Sequence, residues 1–140
     1  MNMSHQHAEN ITTAIWSDEE TKSSVTKAQL PRPLNWKVLV QPNQVKMETK
    51  GGLILAPMSK DNEEYLTAHG RIAAMGDLAY KDRDTGIAWR TLSPQVNDRV
   101  TYGKYAGQKI VINGVKFLLL NDDELTSIIP EESQVSAYLA

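Results

Sequence analysis

Lys109-Ile110-Val111-Ile112-Asn113-Gly114-Val115-Lys116-Phe117-Leu118-Leu119-Leu120 is the stretch on which the fold turns. Two runs of β-branched and large apolar residues flank Asn-Gly, whose residues both tolerate positive φ, so the segment predicts a hairpin with a two-residue turn. Downstream, Asn121-Asp122-Asp123-Glu124-Leu125 reads as an acidic turn, Thr126-Ser127-Ile128-Ile129 as a last strand, and Pro130 as its end. Upstream, residues 96–102 enter a strand through Asn97-Asp98, and Gly103-Lys104-Tyr105-Ala106-Gly107 is a glycine-bounded bend. Gly70-Arg71-Ile72-Ala73-Ala74-Met75-Gly76 is a short strand between glycines. Leu78-Ala79-Tyr80 and Ile87-Ala88-Trp89 are expected to form two short strands around a charged turn over residues 81–86. Earlier still, Trp36-Lys37-Val38-Leu39-Val40 sets Trp36, Val38 and Val40 on one face at period two, with Pro42 and Asn43 stopping the strand. Short strands joined by Gly, Pro and Asn turns, without a long amphipathic helix, predict an all-β barrel or sandwich.

Composition narrows the function. The chain has 140 residues, 41% of them hydrophobic and 23% charged, which fits one globular domain and excludes a multidomain enzyme. Fifteen Lys+Arg against seventeen Asp+Glu leave no positive excess to neutralise phosphates, so nucleic acid is not an expected partner. With no cysteine, disulfides, thiolate metal sites and cysteine nucleophiles are excluded. No apolar run approaches the roughly 18 residues of a membrane helix, and residues 1–10 lack the basic-then-apolar order of a signal peptide. A soluble cytoplasmic protein is the expectation. Aromatic residues are only 6%, so the core must be built from Val, Ile and Leu, in a domain small enough to depend on neighbours for burial.

Residues 1–29 are polar, with Ile11, Ile15, Trp16 and Val25 as apolar landmarks, and read as a flexible arm or one that touches a neighbouring subunit. Leu30-Pro31-Arg32-Pro33 opens the ordered domain, its prolines forbidding helix. After the strand that ends near Pro42, residues 44–50 are polar and lead to Gly51-Gly52, a pair that predicts mobility. Leu53-Ile54-Leu55 follows at once. Three large aliphatics in a hydrophilic loop are either a short core strand or an exposed anchor, and periodicity does not separate the two.

Catalytic chemistry is hard to assemble from these residues. His5 and His7 lie in the arm without further ligands, and His69 reads as a surface or turn histidine with no nucleophile spaced to it. Glu63-Glu64 and Asp122-Asp123-Glu124 read as solvated turns, because adjacent residues of an extended chain face opposite ways. Gly51-Gly52 lacks the Lys and Ser/Thr of a phosphate loop.

The order of segments resembles the GroES-like co-chaperonins, which cap ring-shaped chaperonins. Arg32-Pro33-Leu34 leading into residues 36–42 is similar to the family's first strand. Glu48-Thr49-Lys50-Gly51-Gly52-Leu53-Ile54-Leu55 is similar to its mobile loop, where a Gly pair precedes three aliphatics. Residues 70–76 resemble its glycine-bounded strand, and Val96-Asn97-Asp98-Arg99-Val100 its next turn, with Asn97 where the family usually has Gly. Lys104-Tyr105-Ala106-Gly107 and the acidic turn before Leu125 complete the set, which spans residues 32–129.

This resemblance implies a small irregular β-barrel with a mobile loop and a roof hairpin, assembled as a heptameric ring. The layout it implies is an arm at 1–29, a barrel at 30–130 with the loop at 44–62 and the roof at 77–94, and a tail at 131–140. Leu53, Ile54 and Leu55 would bind the chaperonin, with Gly51 and Gly52 as the loop's hinge. In the family the first strand pairs with a neighbour's terminal strand, so Leu34, Trp36, Val38, Val40, Ile128 and Ile129 become interface candidates. Tyr105 would face the enclosed cavity, and Tyr80 and Trp89 would belong to the roof. The implied partners are a GroEL-like chaperonin ring, a non-native client protein and further copies of this chain, with no nucleic acid and no membrane. No catalytic residue, metal or cofactor is implied.

The chain departs from the family in its 29-residue arm, its tail and a Leu-Ile-Leu triplet where Ile-Val-Leu is more usual. Such divergence fits a virus-encoded version working in the host cytoplasm as well as a cellular paralogue. The rival readings are a structural β-barrel module, for example of a viral particle, that keeps the fold without the chaperonin, and an enzyme domain. GroES-like barrels also occur in zinc-dependent alcohol dehydrogenases, but this chain lacks cysteine ligands and a nucleotide-binding half.

Overall fold

The computed structural model describes residues 14–18, 23–43 and 68–135. Gly51, Gly52, Leu53, Ile54 and Leu55, with the whole of the expected 44–62 loop, lie outside the described residues, as do His5 and His7. The described chain is all-β, with two short 3-10 turns and no α-helix. Its strands are β1 (Ala14–Asp18), β2 (Ser23–Thr26), β3 (Lys37–Pro42), β4 (His69–Met75), β5 (Arg99–Tyr102), β6 (Gln108–Ile112), β7 (Val115–Asn121) and β8 (Leu125–Ile129). β3 to β8 make one six-stranded antiparallel sheet in the order β6-β7-β3-β4-β5-β8, and β1 and β2 pair separately. The turn pattern predicted an all-β barrel or sandwich, and the described chain is all-β, built on one antiparallel sheet.

The Asn-Gly hairpin forms as its chemistry requires. Asn113 and Gly114 take φ of 50° and 81°, and Ile112 pairs with Val115 across the turn. β7 then lies against β3, with Val38 opposite Leu120 and Val40 opposite Leu118. β4 takes the other edge of β3, pairing Val38 with Met75 and Pro42 with Gly70. Pro42, expected to stop the strand, is its last residue. The strands approach so closely that a Cβ on Gly70 would collide with the Gln41 carbonyl, and one on Gly76 with the Asn35 carbonyl. Both positions therefore need glycine.

Alternating side chains of these strands fill two apolar layers. On one face Val38, Val40, Ile72, Val100, Tyr102, Leu118 and Leu120 join Ala79 and Tyr80 in the main core. On the other, Leu39, Ala73, Val115 and Phe117 pack with Val25 of β2. A strand buried on both faces reads as a continuous apolar run, which is why Val38-Leu39-Val40 and Phe117-Leu118-Leu119-Leu120 show so little alternation. Period-two reading put only Trp36, Val38 and Val40 inward. The structure adds Leu39 and moves Trp36 into the turn before β3, half-buried.

The two ends of the chain differ from expectation. Residues 1–29 read as a flexible arm too poor in apolar groups for a core, yet β1 and β2 form a hairpin in contact with β7, and Val25 is fully buried. One side chain suffices because the sheet supplies the rest of the layer. The tail, expected to fray from residue 131, turns back at once. Arg71 Nη1 donates to Glu131 Oε1 at 2.8 Å, Arg99 Nε lies 3.4 Å from Glu131 Oε2, and Arg99 Nη2 donates to the carbonyls of Pro130 and Ser133. The Arg71 hydrogen bond holds the Glu131 carboxyl below its ordinary range.

Two measurements check these layers. Val25→Ala is expected to lower unfolding stability by about 1.5–3 kcal/mol and Phe117→Ala by about 3–5 kcal/mol in urea titrations; a silent Val25→Ala would detach the hairpin from the core. Because the folded Glu131 binds its proton less readily than the unfolded one, its contribution is present above the ordinary glutamate range and is lost as pH falls through its depressed folded value. Glu131→Gln should therefore flatten the acid limb of the stability profile, and an unchanged limb would contradict the clamp.

Candidate interaction surfaces

The roof candidate, residues 77–94, is anchored by a buried carboxylate. Leu118, Leu120 and Asp122 keep the inward phase of β7, and Asp122 is only 1% exposed at the start of the following 3-10 turn. Its Oδ2 accepts the Tyr80 N–H at 3.0 Å, and its own N–H donates to the Trp36 carbonyl at 3.1 Å. Arg83 reaches in from the roof, its guanidinium 3.8 Å above the Trp36 ring and its Nη2 4.0 Å from Asp122 Oδ1. Sequence reading took Asp122 for part of a solvated turn. The in-out phase of Leu118 and Leu120, extended by one step, was the signal that pointed to it.

Tyr80 holds the roof's base. Its φ of 58° turns the chain sharply after the core residue Ala79, so only the single bridge Lys81–Ala88 forms where two short strands were expected. The charged turn closes on itself, with Asp82 Oδ1 accepting the N–H groups of Asp84 and Thr85, both at 2.9 Å. Trp89 donates its N–H to the Tyr80 carbonyl at 2.9 Å and sets its ring edge-on to Tyr80, centroids 5.3 Å apart. Burial, then the charges of Asp122 and Asp123, push the Tyr80 phenol well above its ordinary range. Tyr80 is thus a core residue from which the 77–94 segment departs, while Ile87 and Leu92 stand exposed beyond it.

The interface candidates divide. Val38 and Val40 are fully buried in their own subunit's core, and both edges of β3 are already occupied, so these two are corrected to core residues. Trp36 is engaged by Arg83 within the chain. Leu34 remains 73% exposed, and Ile128 and Ile129 are half-buried on β8, an end strand that among the described residues pairs with β5 alone. Tyr105 is exposed on its glycine-bounded bend. Between the roof and β8 runs a groove of about 330 Å³ whose walls include Trp89, Leu92, Asp123, Leu125 and Ile128.

The 44–62 loop is approached through described residues on both sides. Asn43 donates its N–H to the His69 carbonyl at 3.0 Å, and the Tyr102 hydroxyl donates to the same carbonyl at 3.2 Å. Tyr102 N–H in turn reaches the Ala68 carbonyl at 2.9 Å. His69, expected to be a surface or turn residue, is a buried residue at the start of β4. Asn43 and Ala68, the described residues that flank the expected loop, therefore stand at adjacent points of the sheet.

The anchor at Asp122 is checked by a pair of substitutions. Asp122→Ala strips the Tyr80 N–H of its acceptor and should lower stability by about 1–3 kcal/mol, whereas Asp122→Asn keeps an acceptor oxygen and should cost less. Equal losses in urea titrations would contradict the bond.

Comparison with known proteins places this barrel. The family described as "Chaperonin 10 Kd subunit" matches residues 31–129. A protein named "Co-chaperonin GroES" from Chloroherpeton thalassium is 31% identical over 98 residues, covering 70% of this chain and 96% of the relative. Proteins of the same name from Cereibacter sphaeroides and Rhodopseudomonas palustris are each 34% identical over the same length and with the same coverage. A match through every strand from β3 to β8, on a barrel of this topology, makes the chain a member of the chaperonin 10 kd subunit family.

Proposed function

We propose that this chain is a non-enzymatic co-chaperonin subunit that assembles into a heptameric ring, caps an ATP-bound GroEL-like chaperonin, encloses a non-native client and modulates the partner's ATPase. The match over residues 31–129 to the chaperonin 10 kd subunit family carries the reading. The relatives are named as co-chaperonins and are covered almost end to end by this chain. The cytoplasm, of a host cell if the protein is virus-encoded, is where such a partner would be met. No helix among the described residues is long and apolar enough to cross a membrane.

Docking is assigned to Leu53, Ile54 and Leu55, with Gly51 and Gly52 as hinge. Leu53 stands ten residues beyond Asn43, a length of chain that spans at most about 35 Å. Burying each aliphatic side chain contributes about 1.5–3 kcal/mol, while each backbone residue ordered costs about 1–2 kcal/mol, so a single loop binds weakly. Several loops on one ring act at high effective concentration and bind firmly together, yet release when the chaperonin's grooves change. In the ring, Tyr105 faces the enclosed space, the roof segments carrying Tyr80 and Trp89 converge over it, and the outward contacts are made by Leu34, Ile128 and Ile129.

Ile54→Asp tests the docking assignment in chaperonin-assisted refolding. The variant should keep its barrel and its oligomeric state and lose most of the refolding yield. Full refolding activity with an intact barrel would overturn the assignment.

A further inference from the structure

Arg71 of β4 and Arg99 of β5 are register partners on neighbouring strands, so their side chains leave the same face of the sheet. Like charges in that position repel, and the other cross-strand partners, Gln41 and Ile129, carry no charge to offset them. An anion between the two guanidiniums relieves the repulsion. The chain supplies one from its own tail: Glu131 sets Oε1 2.8 Å from Arg71 Nη1, and Oε2 3.4 Å from both Arg71 Nη2 and Arg99 Nε. Both cations are also fixed by backbone. Arg71 Nη1 donates to the Asn97 carbonyl at 2.7 Å, and Arg99 Nη2 donates to the carbonyls of Pro130 and Ser133.

Glu131 fills this place incompletely. A carboxylate offers two oxygens and Arg71 reaches both, so Arg99 Nε faces an oxygen that is already shared. That nitrogen is buried and has no hydrogen-bond partner among the described residues, which leaves one donor of the pair unmet. The occupant is also the more exposed partner: the Glu131 side chain is 65% exposed, against 33% for Arg71 and 20% for Arg99. Asp98, the acidic neighbour of Arg99 in sequence, is engaged elsewhere, its Oδ2 accepting the Gln95 N–H at 2.8 Å. Two preorganised cations with an exposed, imperfectly bonded carboxylate between them make a receptor whose occupant is displaceable.

We infer that Arg71 and Arg99 form an oxyanion site for a ligand of the phosphate class, with Glu131 as the internal carboxylate that such a ligand displaces. A tetrahedral oxyanion brings a third oxygen: two meet the fork of Arg71 and the third meets Arg99 Nε, so the unmet donor is used. Displacement removes the Arg71 fork from the tail and leaves the turn after β8 held by the Arg99 bonds to the carbonyls of Pro130 and Ser133. A loaded site therefore loosens the residues that end the terminal strand. The site lies wholly within one subunit and stands apart from the ring reading above.

Inorganic phosphate is the probe, titrated into the full chain at neutral pH, with sodium chloride at equal ionic strength as the control. The Arg99 Nε–H resonance in proton–nitrogen correlation spectra reads the site directly. It should shift and saturate with phosphate, and acetate, with only two oxygens, should shift it less at equal concentration. Glu131→Gln removes the competing charge; with the tail occupying the site about nine-tenths of the time, this variant binds phosphate about tenfold more tightly than the parent. Arg71→Gln should bind phosphate about tenfold or more weakly, with circular dichroism matching the parent. An equal response to sodium chloride would reduce the effect to screening and overturn the site. Acetate that binds as well as phosphate, Glu131→Gln that binds no more tightly than the parent, or Arg71→Gln that binds unchanged would overturn it too.

Discussion

Everything else in this molecule depends on the position of β3. It is hydrogen-bonded on both edges, to β4 and β7, and packed on both faces, with Val38 and Val40 in one apolar layer and Leu39 in the other. The close approach of β4 at Gly70 and of the Asn35 turn at Gly76 leaves no room for a side chain on that side. A strand so enclosed fixes the two strands beside it. These in turn set β5, β8 and the hairpin β6-β7, so one short aliphatic run determines where each exposed surface lies.

The surfaces that remain open follow from that frame. Asn43 at the end of β3 and Ala68 beside the start of β4 lie side by side, joined through the His69 carbonyl and Tyr102. The 77–94 segment is tied back at Tyr80 by Asp122, at the corner between β7 and β8. β8 closes the sheet on one side and offers its outer edge. The chaperonin 10 kd subunit family supplies the context in which these surfaces make sense.

Much of this was legible in the residues. Asn113-Gly114 could adopt few other conformations between two such runs, and the glycine-bounded strand at 70–76 was readable because a sheet partner must pass close to it. Less visible were the features that depend on tertiary contact. Val25 carries no periodic signal among polar neighbours, and its burial follows only once Leu39, Ala73, Val115 and Phe117 create a second layer. The resemblance made Val38 and Val40 interface candidates, and sequence alone does not show that β4 and β7 flank their strand and bury both in the subunit's own core. Asp122 looked solvated because acidic turns usually are, and only the continued phase of β7 carries it inward. The resemblance to GroES-like proteins rested on the order of several pieces, and the match over residues 31–129 bears that out.

The central claim is a cap whose attachment depends on the chaperonin's nucleotide state. Sedimentation of the purified full chain with a GroEL-like ring, in ATP and without nucleotide, tests it most directly. The account predicts that the chain travels with the ring in ATP and separates from it when nucleotide is absent. No association in ATP, or equal association in both conditions, would contradict it.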